Sequence, residues 1–410
     1  MTEFKKKGKD YLDMESFLTR AEAVSMLREN WHCRPGTEEI ALSEALGRTS
    51  AQDGFSLFTL PVVRASGPDG IAVRFADFEQ GVPDTSAWKE GVDYVAADCG
   101  DDFDDAFDTV INIERVSFDA DRTIHLHLDE KIEKGQMVRE RGASLREGEQ
   151  VVAAGMKLHP LHLGLLANAG IEQLSVLKRP KVAFLPTGNE LIPRGAVPER
   201  GQNIQSNGLM IEAFLNSWQG EMWEFPITSD HKASIEKTLD TALAGSDIVL
   251  LSGGSSMGSE DFVSGLLKKR ASICQHGVRC IPGMPMAVGI VDGKPVINMP
   301  GPPFAAYCAM DWCVKELLAH WYGLPVPCRQ KVSVILDKEI TKPERMEFYA
   351  RLHLFTASDG SLHADPIRMA DRFAEGTCRF NGLHIMPIGC ATYEAGQEIE
   401  AEILHTDLFS

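Results

Sequence analysis

From Asp13 to Asn30 apolar residues recur at helical spacing through MESFLTRAEAVSMLREN, which predicts an amphipathic helix with Ser16 placed to cap its first turn. A second helical piece, EEIALSEALGRTSAQD, is expected to end near Gly47, and FSLFTLPVVRASGPDGIAVRFAD then reads as loop and strand. Between about Phe75 and Glu149 the pattern shortens to β-like runs, VDYVAAD, DTVINIERVSF and RTIHLHLD, separated by Gly and Asp clusters. LHPLHLGLLANAGI returns to helix, with Pro160 suited to the first turn and Gly170 to the stop. From Lys181 continuous apolar strands alternate with amphipathic helices: KVAFLPTGNEL, SNGLMIEAFLNSW, MWEFPIT, SIEKTLDTALAG, DIVLLSGG, FVSGLLKKR, KPVINMPG and FAAYCAMDWCVKELLAHW. That alternation predicts a parallel, doubly wound sheet. After PVPCRQ, the runs KVSVILDKEI, EFYARLHLFTA, GLHIMPIG and QEIEAEIL predict a small C-terminal β-barrel or sandwich.

At about 150 residues per domain, 410 residues allow two to four domains. With 44% hydrophobic and 24% charged residues, and no apolar run near the roughly 20 residues of a membrane span, the chain reads as soluble and globular. Its formal net charge of −18 repels nucleic acid and anionic membranes, so neither is expected as a partner and any anionic ligand must be held by local geometry. The nine cysteines, an odd number without a C-x-x-C pair and mostly in apolar stretches such as AYCAMDWCV, read as reduced, buried thiols of a cytoplasmic protein. MTEFKKKGKDYLDMES has no apolar segment before a cleavage site, so export is not expected, and its KKKGK run reads as a solvated end.

In an open α/β sheet a ligand binds where strands end and helices begin, because free backbone N–H groups and the helix dipole favour anions there. Three strand ends are marked: LPTGNEL (185–191), LLSGGSSMGSEDF (250–262) and NMPGPP (298–303). Gly253, Gly254 and Gly258 would let the backbone approach a ligand, and Ser252, Ser255 and Ser256 offer hydroxyls, a set that suits phosphate or another oxyanion. A structural turn feeding a helix explains the same loop equally well. Glu190 and Asp261 beside these loops would repel an anion unless a hard cation intervened, and Mg2+ is the natural mediator between carboxylates and phosphates. Singly, each carboxylate is more simply a helix cap, whereas two at adjacent strand ends shift the balance to a metal. The chain contains no G-x-x-x-x-G-K-[ST], no G-x-G-x-x-G after a strand and no H-E-x-x-H, which removes support from ordinary nucleotidases, dehydrogenases and zinc proteases, and Ser-His-Asp chemistry is not assigned. His159 and His162 flank a helix start, where capping is the simpler reading than metal binding.

In order along nearly the whole chain, EALGRTSAQD, SGPDGIAVRFAD, DTVINIERV, RERGASLREGEQVVAAGMKLHPLHLGLLANAGI, KRPKVAFLPTGNELI, NIQSNGLMIEAFL, DIVLLSGGSSMGSEDF and KPVINMPGPPFAA resemble the molybdopterin molybdenumtransferase family, the MoeA-like proteins that include the gephyrin E domain. The resemblance implies a multidomain α/β and β protein. Its parts would be a helical linker domain (12–54 and 145–179), a mostly β second domain (55–144), a doubly wound α/β molybdopterin-binding domain (180–326) and a C-terminal β-barrel (327–410). It further implies a homodimer that inserts molybdate, or tungstate, into adenylylated molybdopterin with Mg2+ and releases AMP. Residue by residue, Asp69 in SGPDGIA, Glu190 in TGNEL, Asp230 in ITSDH and Asp261 in GSEDF match family acids, with Asp69, Glu190 and Asp261 holding Mg2+. Thr187, Gly188, Ser252, Gly253, Gly254, Ser255 and Gly258 would cradle the phosphate end of the dithiolene ligand, Pro300 and Gly301 would shape its wall, and Arg139 and Arg141 in VRERG would clamp the anion.

The chain also departs from the family pattern. Ser144 stands where an acid is common, Ile281 and Met284 stand where lysines are expected, Pro302 replaces an amide, and Gln205 replaces an acid in IQSNG. Arg279, Arg368 and Arg372 are the cations that could compensate. The losses keep open an alternative of another class, a paralogue that binds molybdopterin as a carrier or scaffold without turnover.

Overall fold

The computed structural model describes residues 16–253 and 262–404, and the chain divides into two compact units, Thr37–Leu177 and the remainder. Helix α1 (Arg20–Asn30) belongs to the larger unit and buries Ala23, Val24 and Leu27. Its cap is Thr19, not the expected Ser16. The Thr19 hydroxyl accepts from the Glu22 N–H while the Glu22 carboxylate accepts from the Thr19 N–H at 2.7 Å, a reciprocal box that satisfies two otherwise orphaned donors.

Within Thr37–Leu177, strand β1 (Thr37–Ala41) starts a segment expected to be helical. EEIALSEALG instead forms this strand and a single 3-10 turn, Leu42–Glu44, before Gly47 turns at φ +73°. The helical spacing of Leu42 and Ala45 is real, and both reach the same core as Ile40. The backbone, however, is satisfied by a partner over a hundred residues away that no local pattern reveals. Strands β2 (Gly70–Val73), β3 (Tyr94–Ala97) and β4 (Thr109–Asn112) form an antiparallel sheet in the order β3–β2–β4 over Ile71, Val73, Tyr94, Ile111 and Ile124. Helix α2 (Pro160–Asn168) begins at Pro160 and stops before Gly170 at φ +82°, as expected. Its cap is His159, whose ring accepts from the Leu161 N–H, while His162 accepts from the His159 N–H, so both imidazoles serve the helix start. Strand β5 (Gln173–Leu177) returns to pair antiparallel with β1, Thr37 opposite Leu177.

The larger unit resumes with β6 (Lys181–Pro186), α3 (Asn207–Ser217), β7 (Glu221–Glu224), α4 (Lys232–Gly245), β8 (Ile248–Ser252) and α5 (Phe262–Arg270). Then come β9 (Ile273–His276), β10 (Ala287–Val291) and β11 (Lys294–Met299). The sheet order is β7–β6–β8–β11–β10–β9, parallel across the first four strands and antiparallel across the last three. The expected doubly wound sheet is therefore extended by an antiparallel edge. One face packs Ala183, Leu185, Val249, Leu251 and Val296 against Ile235, Leu239 and Leu243 of α4 and Val263 and Leu267 of α5. The alternate residues, such as Phe184 and Leu250, face the other layer and are fully buried, which explains the uninterrupted apolar strands.

A helix of three parts follows: α6 (Pro303–Ala309), a π turn (Met310–Val314) and α7 (Lys315–Tyr322), closed by Gly323 at φ +64°. The π turn carries Asp311, which is buried and held by Lys315 at 2.8 Å and by both terminal nitrogens of Arg329 at 2.6 and 3.2 Å. Strands β12 (Lys331–Leu336), β13 (Glu347–Thr356), β14 (Leu362–Ile367), β15 (Gly382–Met386) and β16 (Glu398–Ile403) close into a five-stranded barrel, β13–β14–β12–β16–β15 and back to β13. Val334, Leu352, Ala364, Met386 and Ala401 fill it. Arg20 of α1 forks onto Glu347 of the barrel at 2.8 and 2.9 Å. All nine cysteines are free. Cys280, Cys308 and Cys313 are buried, but Cys99, Cys328 and Cys378 are exposed, contrary to the expectation of buried thiols. Among the described residues no helix is long and apolar enough to cross a membrane.

Candidate functional site

Strand β6 leads through α3 to β7 on one side, and the chain then crosses to β8 on the other, so the sheet's topological switch point lies between the carboxyl ends of β6 and β8. There the Thr187 N–H donates to the Ser252 carbonyl at 2.8 Å, with the Thr187 hydroxyl on the same oxygen at 3.2 Å. Gly253 follows at φ +122°, and a Cβ on it would lie 2.1 Å from the Thr187 carbonyl oxygen. Only glycine fits that approach. Gly253→Ala is expected to cost about 1–3 kcal/mol of stability through forced backbone strain, read by urea unfolding; a loss under about 0.5 kcal/mol would show that the two strand ends separate easily.

A cavity of about 490 Å³ opens at this point. Thr187 and Glu190 line it from the β6 end, Ser252 and Gly253 from the β8 end, and Gly301 with Pro302 and Pro303 from the start of α6. Ser206 and Asn207 line it at the start of α3, whose capping residue Ser206 makes no side-chain cap hydrogen bond. Two helix N-termini and a strand-end glycine thus converge on one space, a combination that attracts an anionic group. Glu190 is the one charged side chain in the described lining, which contains no lysine or arginine. No described residue donates a hydrogen bond or an ion pair to its carboxylate. Gly188 admits that carboxylate at close range, since a Cβ there would lie 2.6 Å from Oε1. Asp230 lies one layer out, where its carboxylate accepts from the Asn189 N–H at 3.0 Å and its own N–H donates to the Asn189 side chain at 3.3 Å.

Of the residues expected in the site, Thr187, Gly188, Glu190, Ser252, Gly253 and Gly301 come together here, Pro300 adjoins them in sequence and Asp230 is joined through Asn189. Gly254, Ser255, Gly258 and Asp261 lie outside the described residues. Asp69, Arg139 and Arg141 belong to the Thr37–Leu177 unit. There the Asp69 carboxylate accepts from the Cys99 N–H at 2.7 Å, Arg139 ends a strand paired with Ala65, and Arg141 donates through Nε to the Val62 carbonyl at 3.1 Å. All three side chains are exposed. The compensating cations are placed elsewhere than the cavity lining: Arg279 donates to the Phe17 carbonyl at 2.8 Å, and Arg368 pairs at 3.5 Å with Asp371.

Several lining residues were not expected from the sequence. Asn207 is buried and donates to the Gly301 carbonyl at 2.9 Å, tying the start of α3 to the start of α6. Gln205, buried, donates to Glu224 at 2.8 Å, and Asn203 donates its N–H to the Glu190 carbonyl at 2.8 Å. The only signal available was the density of amides in NIQSN just before a helix, which ordinary capping explains as well.

The oxygen-rich lining suits a hard cation, because Mg2+ is typically held by one or two carboxylates together with substrate phosphates. Among the described residues no three His, Cys, Asp or Glu stand together as a protein-only metal cage. Glu190 therefore fits a Mg2+ shared with a ligand rather than one enclosed by protein.

The fold and this cavity define an α/β ligand-binding domain coupled to a barrel and to a second, mostly β unit. Residues 183–320 match the family described as probable molybdopterin binding domain, and residues 18–170 match the MoeA N-terminal region, domains I and II. The chain belongs to the MoeA family, transferases of molybdenum cofactor biosynthesis. It is 29% identical over 320 residues to the molybdopterin molybdenumtransferase of Haemophilus influenzae, covering 75% of this chain and 78% of that protein. It is 26% identical over 392 residues to molybdopterin molybdenumtransferase 2 of Mycobacterium tuberculosis, covering 90% and 95%. The molybdopterin biosynthesis moeA protein of Pyrococcus horikoshii shares the fold, with a TM-score of 0.75 at 24% identity over 94% of this chain and 100% of that one.

Proposed function

We propose that this protein catalyses the Mg-dependent insertion of molybdate, or tungstate, into adenylylated molybdopterin with release of AMP. The observation that carries the reading is the cavity at the β6/β8 switch point, where two helix N-termini and Gly253 face a Glu190 carboxylate that no described residue pairs. The helix starts would bind the phosphate-bearing end of the substrate. Glu190, with the roles that family likeness gives Asp69 and Asp261, would hold Mg2+, which when bound neutralises pyrophosphate charge. Asp230 orients the 187–190 turn through Asn189. Such chemistry depends on positioning and charge neutralisation and needs no nucleophilic side chain.

A homodimer is part of the proposal. The run from Phe55 to Val63 leaves Phe55, Leu57, Phe58, Val62 and Val63 exposed, Leu57 at 58% and Val62 at 65%, a concentration of apolar surface that suits a second copy. A cytoplasmic location accords with nine free cysteines.

The test is AMP release from adenylylated molybdopterin by the purified protein, with and without Mg2+ and with molybdate or tungstate. Release that requires both cation and oxyanion is the expected result. Retention of the nucleotide without release would overturn it in favour of the carrier or scaffold, which the apolar Ile281 and Met284 and the absence of a cation from the described lining support.

A further inference from the structure

A second cavity, of about 430 Å³, lies in the same unit far along α3 from the first, at the carboxyl-terminal turn of that helix. Its wall combines two kinds of group. The first is a run of aromatic rings: Trp218 stacks on Phe214 at 4.7 Å, Phe214 meets Tyr307 at 5.2 Å, and Tyr307 meets Phe380 of the barrel edge-on at 5.7 Å. These rings are half-buried, so each keeps surface available to a guest. The second is a pair of cations, Lys315 and Arg329, the only charged residues in the described lining.

Both cations are held in place from behind. Asp311, itself buried, takes one hydrogen bond from Lys315 and two from Arg329, and Glu402 takes a further one from Arg329 at 3.1 Å. Neither carboxylate is part of the wall. Among the described residues the ammonium of Lys315 keeps two N–H donors without a partner, and the guanidinium of Arg329 keeps its Nε–H. The Tyr307 hydroxyl likewise makes no hydrogen bond to a described residue. The described lining thus offers donors and rings and no acid, in a chain of net charge −18. Its chemistry is opposite to that of the first cavity, where the one charge in the described lining is a carboxylate.

We propose that this second cavity binds a planar aromatic anion, its ring stacked on the Trp218–Phe214 face and its carboxylate or phosphate on Lys315 and Arg329. The volume falls in the range of small-molecule sites and admits one bicyclic ring with a single anionic group. Rings give stacking at low entropic cost, and pre-positioned cations give charge-assisted hydrogen bonds without reorganisation.

Titration calorimetry on the full-length protein tests this with two matched pairs, indole-3-acetate against indole-3-acetamide and AMP against adenosine. The expected result is saturable one-to-one binding of an anion, at least tenfold weaker for its neutral counterpart. Lys315→Gln and, separately, Trp218→Leu should each weaken it at least tenfold. Glu190→Gln, in the first cavity, should leave it unchanged, which separates this site from the proposed catalytic one. Equal binding of anion and neutral partner overturns the proposal, as does binding that survives both variants. Absence of saturable binding by either anion up to millimolar concentration, or loss of it in Glu190→Gln alone, also overturns it. The proposed transferase reading is untouched by any of these outcomes.

Discussion

Glu190→Gln should lower Mg-dependent AMP release by about 10²-fold or more while leaving the fold intact, because the side chain is exposed and takes no hydrogen bond from a described residue. The substitution keeps shape and removes charge, so its effect isolates the electrostatic role. The Mg2+ concentration giving half-maximal rate should rise with it. The carbonyl of Glu190, which accepts from Asn203, is unaffected, so the 187–192 turn keeps its anchor. Steady-state assay across a Mg2+ titration measures both effects, and turnover within a few-fold of the parent protein at the same Mg2+ would remove Glu190 from the cation site.

The largest stability effect is expected at Asp311. Its carboxylate is 4% exposed and sits inside the π turn, where it receives Lys315 and both forks of Arg329. Burial by itself pushes this carboxyl up, but the Arg329 hydrogen bonds and the Lys315 and Arg329 charges outweigh it and hold the group below its ordinary value. Asp311→Asn leaves two half-buried cations short of their counter-charge and is expected to cost about 3 kcal/mol, the lower end for a broken buried pair. Because the folded carboxyl is depressed, its contribution is present above the unfolded carboxyl value of about 3.9 and is lost as pH falls through the folded value. The difference between parent and variant should therefore be full at pH 7 and shrink in acid. Urea unfolding at both pH values reads this, and a variant within 1 kcal/mol of the parent at pH 7 would mean that Glu402 alone satisfies Arg329.

The parts that were readable in the sequence are those in which local pattern and tertiary demand coincide. KVAFLP, DIVLLS and KPVINM are strands because both faces of the sheet are covered, and an uninterrupted apolar run has no other economical use. Pro160 and Gly170 bound α2 because proline's fixed φ suits a first turn and glycine, lacking a Cβ, takes the φ of +82° at the stop without strain. The misreading of EEIALSEALG shows the opposite case, in which Leu42 and Ala45 serve one core at helical spacing while the backbone just before them is claimed by Gln173–Leu177. Strands β9, β10 and β14 escaped for a related reason, since ICQH, AVGIV and LHADPI are short and become strands only through partners. Glu190 and the glycine turn were legible as chemistry, because a carboxylate beside an anion-binding turn is a local contradiction that calls for a cation. Asn203, Gln205 and Asn207 were not, since an amide before a helix looks the same whether it lines a cavity or caps a turn.

The chain leaves the larger unit after Gly36 and re-enters it at Lys178, and the Lys178 N–H donates to the Gly36 carbonyl at 2.8 Å. On the far side of that junction Thr37 and Leu177 are themselves a strand pair. Everything from one to the other is thus an insertion whose two ends emerge side by side. Bringing the ends of so long a flexible loop together would cost the host roughly 4 kcal/mol in chain entropy. Once β1 and β5 have paired, the insert has already closed that loop by its own folding. Gly36 and Lys178 of the host then stand across a hairpin-like gap. The insert's own strand pair therefore sets where the host chain resumes, so a different insert with equally paired ends would leave the host sheet's connectivity as it is.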